Sequence, residues 1–165
     1  GIPGQTFESL ANDILVFRQL DLEMIGVGPY IPHPATPLGQ GLFPLAPDGD
    51  QVIADEETTT KVVALTRLVR PDANIPSTTA LATLDPSWGR ERGLLRGANV
   101  VMPNLTPPEY RQLYEIYPGK ACVNETAEAC GSCLPNRIRM IGRVPGTGPG
   151  GRRKTRAPAL DAVLA

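Results

Sequence analysis

The chain has 165 residues, 17 of them glycine and 18 proline, and 41% of its side chains are hydrophobic, a length that suits one domain with a real core. Sixteen basic against seventeen acidic residues leave a net charge of −1, without the basic excess that general nucleic-acid and membrane-surface binders show. No apolar run is long enough to span a bilayer and no signal peptide is visible, so the expected location is cytoplasmic, with neither nucleic acid nor membrane as a partner.

The chain opens inside a turn, GIPGQT over Gly1–Thr6. Because its first residue is Gly rather than Met, it is expected to be a piece of a longer protein. A helix follows over about Phe7–Leu20, with Leu10, Ile14 and Phe17 at helical spacing. Met24–Gly28 has the length and composition of a strand. The next stretch, Pro29 to about Asp55, is too rich in Pro and Gly for regular structure. A second helix is expected over about Thr58–Arg70, where Val62, Val63, Leu65 and Leu68 form its apolar face and Pro71 ends it. Asn74–Thr79 reads as a short strand, Pro86–Arg96 as a weaker helix and Asn99–Met102 as another strand. Thr106-Pro107-Pro108-Glu109 has the form of a capping box with proline at the helix start. The helix it opens places Tyr110, Leu113, Tyr114 and Tyr117 on one face and stops at Pro118-Gly119. A cysteine loop follows, then a short helix near Leu134–Ile141, then a Gly/Pro-rich basic segment read as a mobile tail. No internal repeat is present.

Helices alternating with short strands predict an α/β fold with parallel strands. Three strands are complete and the chain begins at the end of a fourth, which is half of an eight-fold barrel entered in the middle. The expected organisation is a half-barrel over 1–118, the cysteine loop and short helix over 119–141, and the tail over 142–165. In such barrels the active site gathers at the C-terminal ends of the strands, where the proline loop and Ser77-Thr78-Thr79 are placed.

Cys122, Cys130 and Cys133 are the chain's three cysteines, spaced C-x7-C-x2-C. An odd number within twelve residues suits metal ligation better than a disulfide framework. Thiolates are soft ligands, and C-x2-C lets two sulfurs reach one metal. The alternative is three reduced surface thiols. The lone histidine, His33, supports neither a triad nor a metal site and is expected to be structural. Arg152, Arg153, Lys154 and Arg156 read as a solvated basic cluster. No residue stands out as a general acid or base.

GIPGQT followed by a helix resembles the fifth-strand motif of radical S-adenosylmethionine (SAM) enzymes. Four further stretches narrow the resemblance: MIGVGPYIPHP over 24–34, NIPSTTA over 74–80, GANVVMPN over 97–104 and YRQLYEIYPGK over 110–120. Together they resemble the C-terminal half of the HydE family, the radical SAM maturases of FeFe-hydrogenase, within the biotin synthase-like group. The resemblance covers about residues 1–153. It implies the second half of a (βα)8 TIM-type barrel.

In the complete enzyme the resemblance implies SAM and a 4Fe–4S cluster, a 5′-deoxyadenosyl radical, a small-molecule or organometallic iron substrate and hydrogenase maturation proteins as partners. It also implies that Met24, Pro29, Ile31, Thr78, Thr79, Met102 and Tyr114 wall the SAM or substrate cavity. Cys122, Cys130 and Cys133 would hold an accessory 2Fe–2S cluster, present in some members of the family. One departure is large. The CxxxCxxC loop that binds the SAM-cleaving cluster is absent from this sequence, so this piece is expected to be inactive alone. Two other readings stay open: another biotin synthase-like or methylornithine synthase-like radical SAM enzyme, and a non-catalytic metal-binding module.

Overall fold

A computed structural model describes residues 1–47, 49–114 and 116–152. The first helix, α1, runs Phe7–Gln19, and the Thr6 side chain caps it by accepting from the Ser9 N–H. Its buried residue, Ile14, lies on the side toward the second helix, α2 (Glu56–Val69). Asp55 caps α2 by accepting from the Thr58 N–H at 2.7 Å, and this bond is the leading reason its carboxyl lies below the usual value. Val62 and Val63 form the buried side of α2 together with Thr59, Thr60 and Thr66, whereas Leu65 and Leu68 of the expected apolar face are exposed, and the helix stops before Pro71.

The sheet is small. Strand β1 (Pro76–Ser77) pairs in parallel with β2 (Val100–Val101), with Pro76 opposite Val100 and Ser77 opposite Val101. Two helices lie between them in the chain, α3 (Thr79–Leu84) and α4 (Gly89–Leu95). A third parallel segment touches the pair at one point, where Met24 bridges Asn74. There the Ile25 N–H donates to the Asn74 carbonyl at 2.8 Å, and the Asn74 N–H to the Glu23 carbonyl at 3.0 Å. The result is an α/β structure whose parallel segments come in chain order, joined by helices.

The strand expected over Met24–Gly28 is thus reduced to a single bridge, and the one over Asn74–Thr79 to two residues. Proline and glycine explain the shortening. Pro76 has no N–H to give the ladder, and Gly26, Gly28 and Pro29 favour other backbone conformations. Helix α3 has no counterpart in the sequence reading. It starts because the Thr78 side chain caps it by accepting from the Leu81 N–H. The helix expected from Pro86 begins only at Gly89, since Asp85 accepts from the Ser87 and Trp88 N–H groups and shapes a turn over Pro86.

The largest correction concerns the Thr106 helix. Only Pro108–Arg111 (α5) is α-helical, and Gln112–Tyr114 continues as a 3-10 turn. The expected face is not buried: Tyr110, Leu113 and Tyr114 are all exposed, Leu113 at 83%. A single α turn followed by a tighter one breaks the 3.6-residue spacing on which that face depended. The buried residue is Arg111. Its guanidinium gathers the carbonyls of Asn104, Thr106, Cys122 and Glu125, which folds 104–125 into one loop. Helix α6 (Ala127–Met140) starts before the helix expected at Leu134, because the Thr126 side chain caps it at the Ala129 N–H. Pro135 lies inside it, where it removes one N–H from the ladder.

Ile75, Val63, Leu94 and Ala98 make the core between the sheet and the helices, with Val101, Ile138 and Ile141 packed on it. Below it, at the strands' N-terminal ends, Arg67 of α2 donates to the carbonyls of Gly97, Arg70, Pro71 and Ala73 and to Asn99 Oδ1. Asn99 also accepts from the Ile75 N–H and donates to Asn74 Oδ1.

Residues 142–152 return to this end. The Gly150 carbonyl accepts from Asn74 Nδ2, and Arg152 donates to the Asp21 carboxylate and to the Asp21 and Leu22 carbonyls. Arg152 is therefore an ion-pairing residue rather than part of a solvated cluster. Its hydrogen bond, followed by that of Arg70, holds the Asp21 carboxyl far below the usual range. Arg153, Lys154 and Arg156 lie outside the described residues. Among the described residues no helix is long and apolar enough to cross a membrane.

This anchoring sets an order of sensitivities. Arg67→Met strands several carbonyls that now share one guanidinium, at about 1–3 kcal/mol for each group left unsatisfied. Asp55→Ala removes one cap, worth about 1 kcal/mol. Urea unfolding of the protein should therefore show a loss for Arg67→Met at least twice that for Asp55→Ala. Equal losses would show that the Arg67 network does not organise the fold.

Candidate functional site

The C-terminal ends of the parallel segments come together at Gly28 and Thr78. A Cβ on Gly28 would lie 2.9 Å from Thr78 Oγ1, so only glycine lets these two ends approach so closely. The Thr78 hydroxyl accepts from the Leu81 N–H at 3.4 Å. A hydroxyl that accepts keeps its own proton for donation. Thr79 opens α3, and its carbonyl accepts from the Thr83 hydroxyl at 2.9 Å. Both threonines are half-buried.

The other cavity candidates are dispersed. Met24 lines a hollow of about 560 Å³ together with Leu94, Ile138 and Val144. Pro29, which is buried, lines a separate hollow of about 300 Å³ with Leu10, Phe17 and Tyr30. Ile31 is half-buried just beyond it. The Tyr30 hydroxyl is buried with no hydrogen-bond partner among the described residues. Met24 and Met102 are about half exposed, at 51% and 45%. Tyr114, expected to wall the cavity, is 63% exposed, and Lys120 lies 4.7 Å from its ring centroid. His33 behaves as a turn residue: its Nδ1 accepts from the Ala35 N–H.

The segment that carries Cys122 lies against α3 and α4. The Ala121 N–H donates to the Thr83 hydroxyl at 2.9 Å. Thr83 is one helical turn beyond Thr79, about 6 Å along the axis, so this segment adjoins the helix that leaves the strand end. Cys122 holds a left-handed φ of +63° and accepts from Arg90 Nη2 at 3.1 Å. Cys133 is exposed on α6. Cys130 lies three residues before it on the same helix, and its side chain is outside the described ones. Among the described residues no group of three or more His, Cys, Asp or Glu side chains is arranged to hold a metal ion.

The sequence reading missed the charges that dock this region. Arg90 and Glu91 of α4 are both buried, at 6% and 4% exposure. Arg137 of α6 donates to both Glu91 carboxylate oxygens and to the Ser87 carbonyl. Burial works against the charge on Glu91, but the Arg137 hydrogen bonds, with help from the Glu91 backbone and Arg90, leave its carboxyl below the usual value. Nothing in the spacing of Arg90-Glu91-Arg92 separates these residues from an ordinary solvated helix face. Only a partner helix 46 residues away covers Glu91, and only Cys122, 32 residues away, meets Arg90.

Over 154 residues, 93% of its length, the chain is 48% identical to the FeFe hydrogenase maturase subunit HydE of Thermotoga maritima. The chain matches a C-terminal part of HydE. It spans 41% of the length of that HydE protein. No protein-family model matches the chain. The strand-end turns, the glycine–threonine approach and the cysteine segment all fall on this HydE-like stretch, which takes in nearly every described residue.

The Glu91–Arg137 pair makes stability depend on acid. The folded carboxyl titrates below its unfolded value, near 4.3. Its contribution is therefore complete above that value and is lost as the pH falls through the lower, folded one. The urea midpoint should drop between pH 7 and pH 3 in the unaltered protein, and part of that drop should vanish in Glu91→Gln. An identical pH profile for Glu91→Gln would count against the pair.

Proposed function

We propose that this chain is the second half of the barrel of a radical SAM enzyme that matures the H-cluster of FeFe-hydrogenase, acting in the cytoplasm with hydrogenase maturation proteins as partners. The observation that carries this reading is the joining of parallel segments at 24, 76–77 and 100–101 in chain order, with Gly28 and Thr78 pressed together at their C-terminal ends. That end is where barrels of this kind place their chemistry. The 48% identity to HydE supports the assignment to a maturase.

In the whole enzyme, SAM and a 4Fe–4S cluster would supply the radical. The residues of this chain do not fit that cluster: it needs a CxxxCxxC loop, which the sequence lacks. No step through the cluster is assigned to them. Their part is to bind and enclose. Met24, Pro29, Ile31, Met102 and Tyr114 would wall the cavity and exclude water from a small-molecule or organometallic iron substrate, once the rest of the barrel faces them. Thr78 and Thr79 would donate to an anionic group of SAM or substrate without adding charge. Preorganised donors of this kind hold the reacting groups in register.

Cys122, Cys130 and Cys133 would form an accessory metal site, in the form of an iron–sulfur cluster. The fit rests on the donor set: three soft sulfur ligands, two of them three residues apart on α6 and one beside a guanidinium. Such a site would stiffen the loop over 119–126 and stand apart from the radical chemistry.

Two variants of the full-length enzyme separate these roles. Thr79→Val keeps the shape and removes one hydroxyl. It should lower hydrogenase maturation about tenfold, the loss of one good hydrogen bond of about 1–1.5 kcal/mol. Replacing all three cysteines by serine should abolish the accessory-cluster signal and leave 5′-deoxyadenosine formation largely intact. Loss of SAM cleavage in that triple variant, with the fold preserved, would place the cysteines in the chemistry instead.

A further inference from the structure

Arg90 is a buried, permanently charged group whose guanidinium hydrogen bond, among the described residues, goes to a sulfur. Its Nη2 donates to Cys122 Sγ at 3.1 Å, and the side chain belongs to a residue only 6% exposed. A neutral thiol is a weak acceptor. Burying a cation against one is costly unless the sulfur carries negative charge, as it does when it binds a metal.

The placement of Arg90 is itself fixed. Its carbonyl accepts from Ser77 Oγ at 2.9 Å, so the end of β1 sets the residue that holds the sulfur. A Cβ on Gly93 would lie 2.3 Å from the same Ser77 Oγ, which shows how tightly α4 seats on β1. The neighbouring Glu91 draws in Arg137, which lies four residues after Cys133, one turn further along the same face of α6. Glu91 thereby docks α6, the helix that carries Cys130 and Cys133, on α4, whose Arg90 holds Cys122.

We propose that Arg90 and the Glu91–Arg137 pair are positioning residues for the cysteine metal site, with Arg90 orienting the Cys122 sulfur and the two guanidinium groups offsetting the excess negative charge of a tris-thiolate metal centre. Three thiolates around a divalent ion leave a net charge of −1. Two fixed cations beside it make that charge affordable without supplying a ligand. A donor to a ligating sulfur also withdraws electron density from it, the lever by which surrounding hydrogen bonds tune metal–sulfur centres. The inference rests on the reading of the cysteines as a metal site, given above.

The test uses the full-length protein stripped of metal and titrated with cobalt(II), whose bonds to thiolate give a charge-transfer absorption in the near ultraviolet. The unaltered protein should bind cobalt with that absorption, and Cys122→Ser should weaken it. Arg90→Gln should lower the affinity about 10–100-fold, the usual cost of removing an outer partner of a ligand. It should also move the band to longer wavelength, since an unbonded sulfur gives up its electron more easily. Arg90→Lys should restore part of both effects. A purely structural role would not shift the band.

Wild-type affinity and band position in a folded Arg90→Gln protein would overturn the inference while leaving the metal site standing. No charge-transfer band in the unaltered protein would overturn the metal site and the inference with it. Should Arg90→Gln fail to fold, Arg137→Gln decides the matter. That side chain is 30% exposed, and its loss should weaken cobalt binding in the same direction; unchanged affinity there would overturn the proposal.

Discussion

One guanidinium ties the fold together. Arg67 reaches from α2 to the backbone that precedes β1, through the carbonyls of Arg70, Pro71 and Ala73, and to the segment that precedes β2, through the Gly97 carbonyl and the Asn99 side chain. Asn99 spans the same gap by accepting from the Ile75 N–H. Strand pairs of two residues have little ladder to hold them. Their register is set instead at their N-terminal ends, by side chains that bind carbonyls no strand partner satisfies. With that end pinned, the opposite end is positioned, where Gly28 and Thr78 approach each other.

The same economy recurs along the chain. Arg111 folds the loop over 104–125 on four carbonyls, Arg137 docks α6 on Glu91, and Arg152 ties residues near 150 to Asp21. Aromatic side chains make up only 5% of the protein, and the core is a modest cluster around Ile75. Arginine does the cross-linking that a larger apolar core would otherwise do. Its planar fork can serve several acceptors at once and stays charged at any ordinary pH. Buried charge of this kind needs its partners in place, so each arginine specifies one arrangement of the loops around it.

The cysteine segment is tied to the same scaffold. The segment docks on α3 through Thr83 and on α4 through Arg90. The Ser77 hydroxyl connects Arg90 in turn to β1. A continuous set of hydrogen bonds therefore joins the strand end to the sulfur of Cys122.

The sequence by itself determined the first two helices, the parallel α/β order, the turn at Gly1–Thr6 and the likeness to HydE. These depend on local signals: a capping Thr6 or Asp55, a stripe such as Val62 and Val63, a stop at Pro71, and contiguous motifs that can be read without knowing what they touch. Tertiary structure alone decided the rest. The Tyr110–Tyr117 stretch has helical spacing in sequence, yet it turns Tyr110, Leu113 and Tyr114 to solvent and buries Arg111. Its conformation is set by carbonyls up to 14 residues ahead, not by its own periodicity. Arg90, Glu91 and Arg137 read as surface charges because each finds its partner across the fold, 32 or 46 residues away. Burial of charge is a property of what packs over a residue, and a local pattern does not carry that information.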